Sequence, residues 1–304
     1  MTPTGLHLVS GTVYPGNVGY NPLPSEIRPQ RRSMEGGKMK GRSVIRLGVI
    51  LLAIAGSSCS KPPPAADAPG PKNELSVDLG GGVTMEFVLI RPGSFMMGSE
   101  RGGDDQKPVH KVRIAKPFYL GKYEVTQEQW QAVMGANPSS FKGPKNPVEQ
   151  VSWEDCETFL RKLGEKAGGA GFRLPTEAEW EYACRAGGTT EYCYGDDQAG
   201  LGEYAWYNDN SGGTTHRVGQ KKANAWGLYD MHGNVWEWCS ESYGSETEGE
   251  VSDPTRAAGG ERHTLRGGSW ANDPSNVRTA SPYPDTTGTR WSGDGVRAAR
   301  TLAE

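Results

Sequence analysis

Residues Arg173 to Ala183 read RLPTEAEWEYA. Within them, Thr176-Glu177-Ala178-Glu179 has the form of a capping box: the threonine hydroxyl can accept the third helical N–H while the glutamate reaches back to the cap. The spacing predicts a helix that runs through Trp180, Ala183 and Cys184 and ends near Gly187-Gly188. Two more helices are marked upstream. Thr126-Gln127-Glu128-Gln129 is a second capping box, followed by Trp130, Val133 and Met134 on one face and by Gly135 as a stop. Ser152 opens the third, in which Cys156, Phe159, Leu160 and Leu163 recur at the spacing of a core-facing stripe before Gly164.

Outward from these helices the pattern changes. Met85 to Ile90 (MEFVLI) and Val112 to Ile114 (VRI) are predicted strands, with Arg91-Pro92-Gly93 as a turn. From Gly195 to Glu304 the chain is rich in Gly, Asn, Asp, Ser and Trp with only short apolar pieces, which predicts long structured loops joined by short strands. An irregular fold of this kind needs metal ions, aromatic anchors or buried side-chain hydrogen bonds to hold it. The chain has 304 residues, 43 glycines and a formal charge of -3, with a mean hydropathy of -0.64. That balance excludes an obvious nucleic-acid binder. The lack of heptads and of a second long apolar run excludes a coiled coil and a multi-span membrane protein.

The one apolar run, Val44 to Gly56, follows Lys38, Lys40 and Arg42 and leads to Gly56-Ser57-Ser58-Cys59. A basic start, a short apolar segment and small residues before a cysteine are the ordered features of a bacterial export signal. Residues 39–58 are therefore expected to be a signal peptide, and Cys59 the lipidated first residue of the mature protein, because the run resembles a lipoprotein processing box. Residues 1–38 are expected to be a disordered extension or the product of a misassigned start. Residues 59–78, with KPPPAADAPGPK, read as an extended Pro-rich tether. One domain is expected over 79–304, placed in the cell envelope on the periplasmic or outer surface. Such a compartment permits disulfides. Cys156, Cys184, Cys193 and Cys239 allow three pairings, but Cys156 and Cys184 lie on apolar faces of predicted helices, so buried free thiols are at least as well supported as bridges.

The motifs, taken in order, resemble those of the formylglycine-generating enzyme, or sulfatase-modifying factor, family. They are Gly93 to Gly98 (GSFMMG), Pro108-Val109-His110, Tyr123-Glu124-Val125-Thr126, Pro147-Val148 and Val151-Ser152-Trp153. Arg173 to Ala183 follows, then Gly227 to Met231 (GLYDM), Gly233 to Trp238 (GNVWEW), Arg266 to Trp270 (RGGSW) and Gly295-Val296-Arg297. The resemblance covers nearly the whole mature domain. It implies an α+β fold, an elaborated relative of the C-type lectin fold, irregular and loop-rich with short strands and about three helices.

The segment Asp230 to Trp238 is the best candidate for a metal site, since hard cations take carboxylate and carbonyl oxygens and a glycine turn can aim carbonyls inward between two acids. On spacing alone Asp230 and Glu237 serve equally well as turn carboxylates. The resemblance implies a structural calcium bound by Asp230, the Gly233 and Val235 carbonyls and Glu237, with a second site near Trp206 to Asn210. It also implies a copper(I) ion on two cysteines just past Arg266 to Trp270. Copper(I) demands soft sulfur ligands. The corresponding positions here are Asn272 and Val277, and no Cys or Met occurs after Cys239, so no copper is expected. Cys239 is expected to be packed or disulfide-bonded. His7, His110, His216, His232 and His263 lack metal-ligand spacing, and no G-x-S-x-G supports a hydrolase.

What remains is a surface over Ala271 to Trp291. Asn272, Asn276, Arg278, Tyr283, Arg290 and Trp291 set aromatic and arginine anchors among small polar residues, as binding surfaces do. The competing reading has Asn and Asp cap turns, makes Arg278 and Arg297 buried hydrogen-bonding struts and places Trp270 and Trp291 in the core. The expected function is an exported, lipid-anchored, non-catalytic module for a protein or glycan ligand, meeting the membrane only through its anchor and binding no nucleic acid. Family relatives include receptors diversified in their C-terminal segment. The alternatives are a formylglycine-generating oxidase or other oxidoreductase serving exported sulfatases, and a structural envelope lipoprotein.

Overall fold

A strand covered on one face alternates buried and exposed side chains. Thr84–Ile90 does so, and it pairs antiparallel with Glu74–Asp78, whose Val77 is buried beside Met85 and Phe87. These are β1 and β2. The computed structural model describes residues 73–244, 251–254 and 260–302. The expected extension, signal peptide and Cys59 lie outside the described residues, as does most of the tether. β1 begins at Glu74, so the folded unit starts five positions before the expected 79, because Leu75 and Val77 supply apolar faces that a tether would lack.

The chain continues with β3 (Gly93–Met97), β4 (His110–Ile114), β5 (Phe118–Gly121), α1 (Gln127–Met134), α2 (Trp153–Lys166), β6 (Phe172–Arg173) and α3 (Glu177–Arg185). After α3 come β7 (Trp236–Ser242), β8 (Val251–Ser252), β9 (Arg262–Arg266), β10 (Pro282–Thr286), β11 (Asp294–Gly295) and β12 (Ala299–Thr301). Thr126, Ser152 and Thr176 each close a reciprocal capping box, as predicted. Two helix ends differ. α2 passes through Gly164 to Lys166; that glycine lets the Gly169 carbonyl approach, 3.1 Å from where a Cβ would stand. α3 stops at Ala186, which itself takes the left-handed conformation one residue before Gly187.

Three sheets result: β1-β2-β5-β12-β6, β10-β9-β7-β11 and β3-β4-β8. β7 lies between two apolar layers. Trp236 and Trp238 enter the cluster built on α1, α2 and the first sheet, whereas Cys239 enters the cluster that contains Ala178, Trp180 and Ala183 of α3. Glu237, between the tryptophans, points away from them. Among the described residues no helix is long and apolar enough to cross a membrane.

Candidate functional site

Strand alternation sends Glu237 toward α3 and the C-terminal strands, where it is fully buried. Arg297 meets it with Nε at 3.0 and 2.9 Å from its two oxygens and Nη2 at 2.6 Å from Oε1, and Trp180 Nε1 donates to Oε2 at 2.6 Å. Arg297 also donates to the Gly121 and Tyr229 carbonyls at 2.9 and 2.8 Å. Burial works against the charged guanidinium, but Glu237 beside it outweighs that and holds its pKa above the ordinary value.

The turn that carries Asp230 into β7 is tightly wound. Asp230 and Asn234 have positive φ of 55° and 62°, and Gly233 has 77°, with the Trp206 backbone where a side chain would begin. Only glycine fits there. Asn234 N–H donates to the Trp206 carbonyl at 2.7 Å and Gly233 N–H to the Gly267 carbonyl at 2.8 Å. Asp230 Oδ2 accepts the Gly219 N–H at 2.6 Å, while Oδ1 is buried without a partner. Burial pushes the Asp230 carboxyl up to about 6. A third carboxylate, Glu124, accepts from Asn234 Nδ2 at 2.6 Å and the Val235 N–H at 3.1 Å. Burial first, then Asp230 and Glu237, raise it well above its usual range.

Three buried carboxylates thus face one buried guanidinium, with Lys221 as a more distant positive charge on Asp230. That imbalance, and the bare Asp230 Oδ1, suit a hard dication. Glu237 suits it less well, because both its oxygens already accept from Arg297 and Trp180. Among the described residues no group of three or more His, Cys, Asp or Glu side chains is arranged to hold a metal. The expected set differs in kind, drawing half of its oxygens from the backbone. In the second loop Asn210 spends its amide on the Tyr207 N–H and the Ala205 carbonyl, and Asn208 pairs with Asp273.

Past Arg266-Gly267-Gly268, Asn272 Oδ1 accepts from Ser269 N–H at 2.9 Å and from its hydroxyl at 2.6 Å. The Asn272 carbonyl accepts the Asn208 N–H at 3.1 Å. Val277 is fully buried against Tyr192, Leu201 and Ala205. Position 272 therefore closes a turn and position 277 fills a small core.

The six expected surface residues separate into two groups. Asn272, Asn276 and Arg278 belong to the turn network after Ser269: Asn276 Oδ1 accepts from Ser275, and Arg278 Nη1 pairs with Glu191 at 2.9 Å. Tyr283, Arg290 and Trp291 lie on the segment around β10. Tyr283 is 47% exposed and stacks on Trp236 with centroids 5.5 Å apart, and Trp291 is 38% exposed and stacks on Trp270 at 6.1 Å. Trp270 in turn meets Phe141 edge-on. Arg290 is held by Asp155 through two bonds of 2.7 and 2.9 Å. Tyr283 and Trp291 thus each leave part of a ring open to solvent.

Residues 81–302 match the family described as the sulfatase-modifying factor enzyme 1-like domain. The chain belongs to that family. It is similar to chaperone protein LppX of Paenibacillus barcinonensis, 35% identical over 208 residues that span 52% of this chain and 72% of LppX. It is also similar to the formylglycine-generating enzyme of Streptomyces coelicolor, 30% identical over 206 residues, spanning 63% of this chain and 58% of the enzyme. Among solved structures, Treponema denticola variable protein 1 superposes with a TM-score of 0.71 at 32% identity, covering 76% of this chain and 100% of that one. The expected α+β fold of this family is therefore the observed one.

Sequence reasoning passed over Glu124, although it lies in a quoted motif. It also passed over the buried Glu181, which binds Arg185 at 2.7 Å and pairs with Arg266. For Glu181 the available signal was an acid flanked by Trp180 and Tyr182-Ala183 on the helix.

Proposed function

We propose that this member of the sulfatase-modifying factor family is an exported, lipid-anchored module that binds a protein or glycan ligand and does not make formylglycine. The observation that carries this reading is the chemistry of positions 272 and 277. The family resemblance puts a soft-metal thiolate pair there, whereas this chain has an amide that closes a turn and a valine packed in a core. Neither side chain can bind copper(I) as a thiolate does. The exposed rings of Tyr283 and Trp291 support ligand binding, since rigid aromatic surface is lost to water at small entropic cost. Export and anchoring rest on the sequence of residues 39–59.

The test incubates the purified chain with copper(I), dioxygen and a Cys-Thr-Pro-Ser-Arg peptide. No aldehyde above a metal-free control is expected; clear aldehyde formation overturns the reading. On the binding side, Tyr283→Ala and Trp291→Ala should each weaken ligand capture about tenfold or more at temperatures where both variants remain folded. Calcium is proposed at the Asp230 turn, with the Gly233 and Val235 carbonyls and a shared Glu237. Millimolar calcium should raise the melting temperature of chelator-treated protein, and the rise should vanish in Asp230→Ala. A calcium response that survives that substitution would move the site elsewhere.

A further inference from the structure

Cys184, Cys193 and His232 meet behind the turn that carries Val277 and Thr279. His232 Nδ1 lies 2.7 Å from the Val277 carbonyl, so it carries the proton and donates. The other nitrogen, Nε2, accepts the Cys193 N–H at 3.1 Å and lies 3.8 Å from Cys184 Sγ. Cys184 Sγ is also 3.8 Å from Thr279 Oγ1. Two of the four described cysteines are thus gathered on one imidazole atom. Cys193 also bears electrostatically on the Cys184 thiol. Cys184 is buried at the end of α3, whereas Cys193 is half-buried in the loop beyond it and is the thiol that solvent can reach. Cys156 and Cys239 are both fully buried.

We infer that Cys184 and Cys193 are a reversible disulfide pair, oxidised by thiol–disulfide exchange with a small disulfide such as oxidised glutathione. The Cys193 thiolate attacks one sulfur of that disulfide; the new S–S bond forms as the old one breaks, and one small thiolate leaves and takes a proton from solvent. The Cys184 thiolate then attacks the Cys193 sulfur and expels the second small thiol in the same way. Two electrons and two protons pass from the pair to the external disulfide, which ends as two thiols. Exchange runs through the thiolate, and burial pushes Cys193 up to about 12, so the forward step is slow at neutral pH. The bond would fix the loop between the two cysteines. That loop holds Glu191, whose carboxylate binds Arg278 at 2.9 Å and Ser99 at 2.7 Å and whose carbonyl accepts the Thr279 N–H at 2.8 Å.

The experiment uses the full chain, reduced with dithiothreitol, desalted, exposed to oxidised glutathione, alkylated and digested with trypsin without reduction. Cleavage after Arg185 separates the two cysteines, so a linked peptide pair containing Cys184 and Cys193 is expected, reversed by dithiothreitol. Cys184→Ser should stop the reaction at glutathione on Cys193, and Cys193→Ser should leave Cys184 unmodified. Failure to find the linked pair at saturating oxidant, accumulation of glutathione on Cys193 in the unsubstituted chain, or linkage of Cys193 to Cys156 or Cys239 would each overturn the assignment. None of these outcomes depends on whether the surface at Tyr283 binds a ligand.

Discussion

Arg297 is the residue on which the buried charge depends. It neutralises Glu237 and pins two backbone carbonyls while shielded from water on every side. Removing one partner of such a pair strands the other charge in a medium that solvates it poorly. Arg297→Met should therefore destabilise the protein by roughly 3–5 kcal/mol, read as a shift in the urea midpoint. Replacing Arg297 and Glu237 together by apolar residues should recover part of that loss; equal loss in the single and double variants would show that the ion pair is not the cause. Asp230 and Glu237 could be read from sequence as companions because one turn of chain joins them. Arg297 and Glu124 could not. They arrive through the pairing of β11 with β7 and the hydrogen bonds of Val125 and Val148 along the same edge, which no local pattern announces.

Helices were legible for a matching reason. Every capping box is complete within four residues, so the side chains that close it are also the ones that identify it. Thr176→Ala should cost about 1 kcal/mol in thermal or chemical unfolding. Glu179→Ala should cost more than that, because its carboxylate also takes Arg173 in a double bond of 2.6 and 2.7 Å; equal costs for the two variants would remove Arg173 from the account. β7 was hidden by its own burial. Trp236, Glu237, Trp238 and Cys239 are all enclosed, so the alternation that reveals a half-covered strand disappears. β8 and β11, at two residues each, carry no period at all.

At the scale of the molecule, acids kept from water make stability depend on pH. Glu241 accepts the Glu177 N–H at 2.8 Å yet is 3% exposed, and burial raises its carboxyl to about 7. The folded state therefore holds this proton more tightly than the unfolded chain, whose glutamates titrate near 4.3. The associated stabilisation is complete below that value and falls away as pH rises through about 7, by up to roughly 4 kcal/mol. Glu241→Gln keeps the acceptor without the titration, so its unfolding free energy should fall less between pH 5 and pH 8. Parallel pH curves for the two proteins would place the dependence on other groups.

The order of the five-stranded sheet has a temporal meaning. β12, the last strand among the described residues, lies between β5 and β6, both made long before it. Until Ala299–Thr301 leave the ribosome, the facing rims of those two strands have no neighbour, and the sheet stands open like a zip without its slider. A chain ending at residue 298 should consequently lose cooperative unfolding and self-associate through those rims. Growth from the N-terminus thus leaves both rims waiting until Ala299–Thr301 are made.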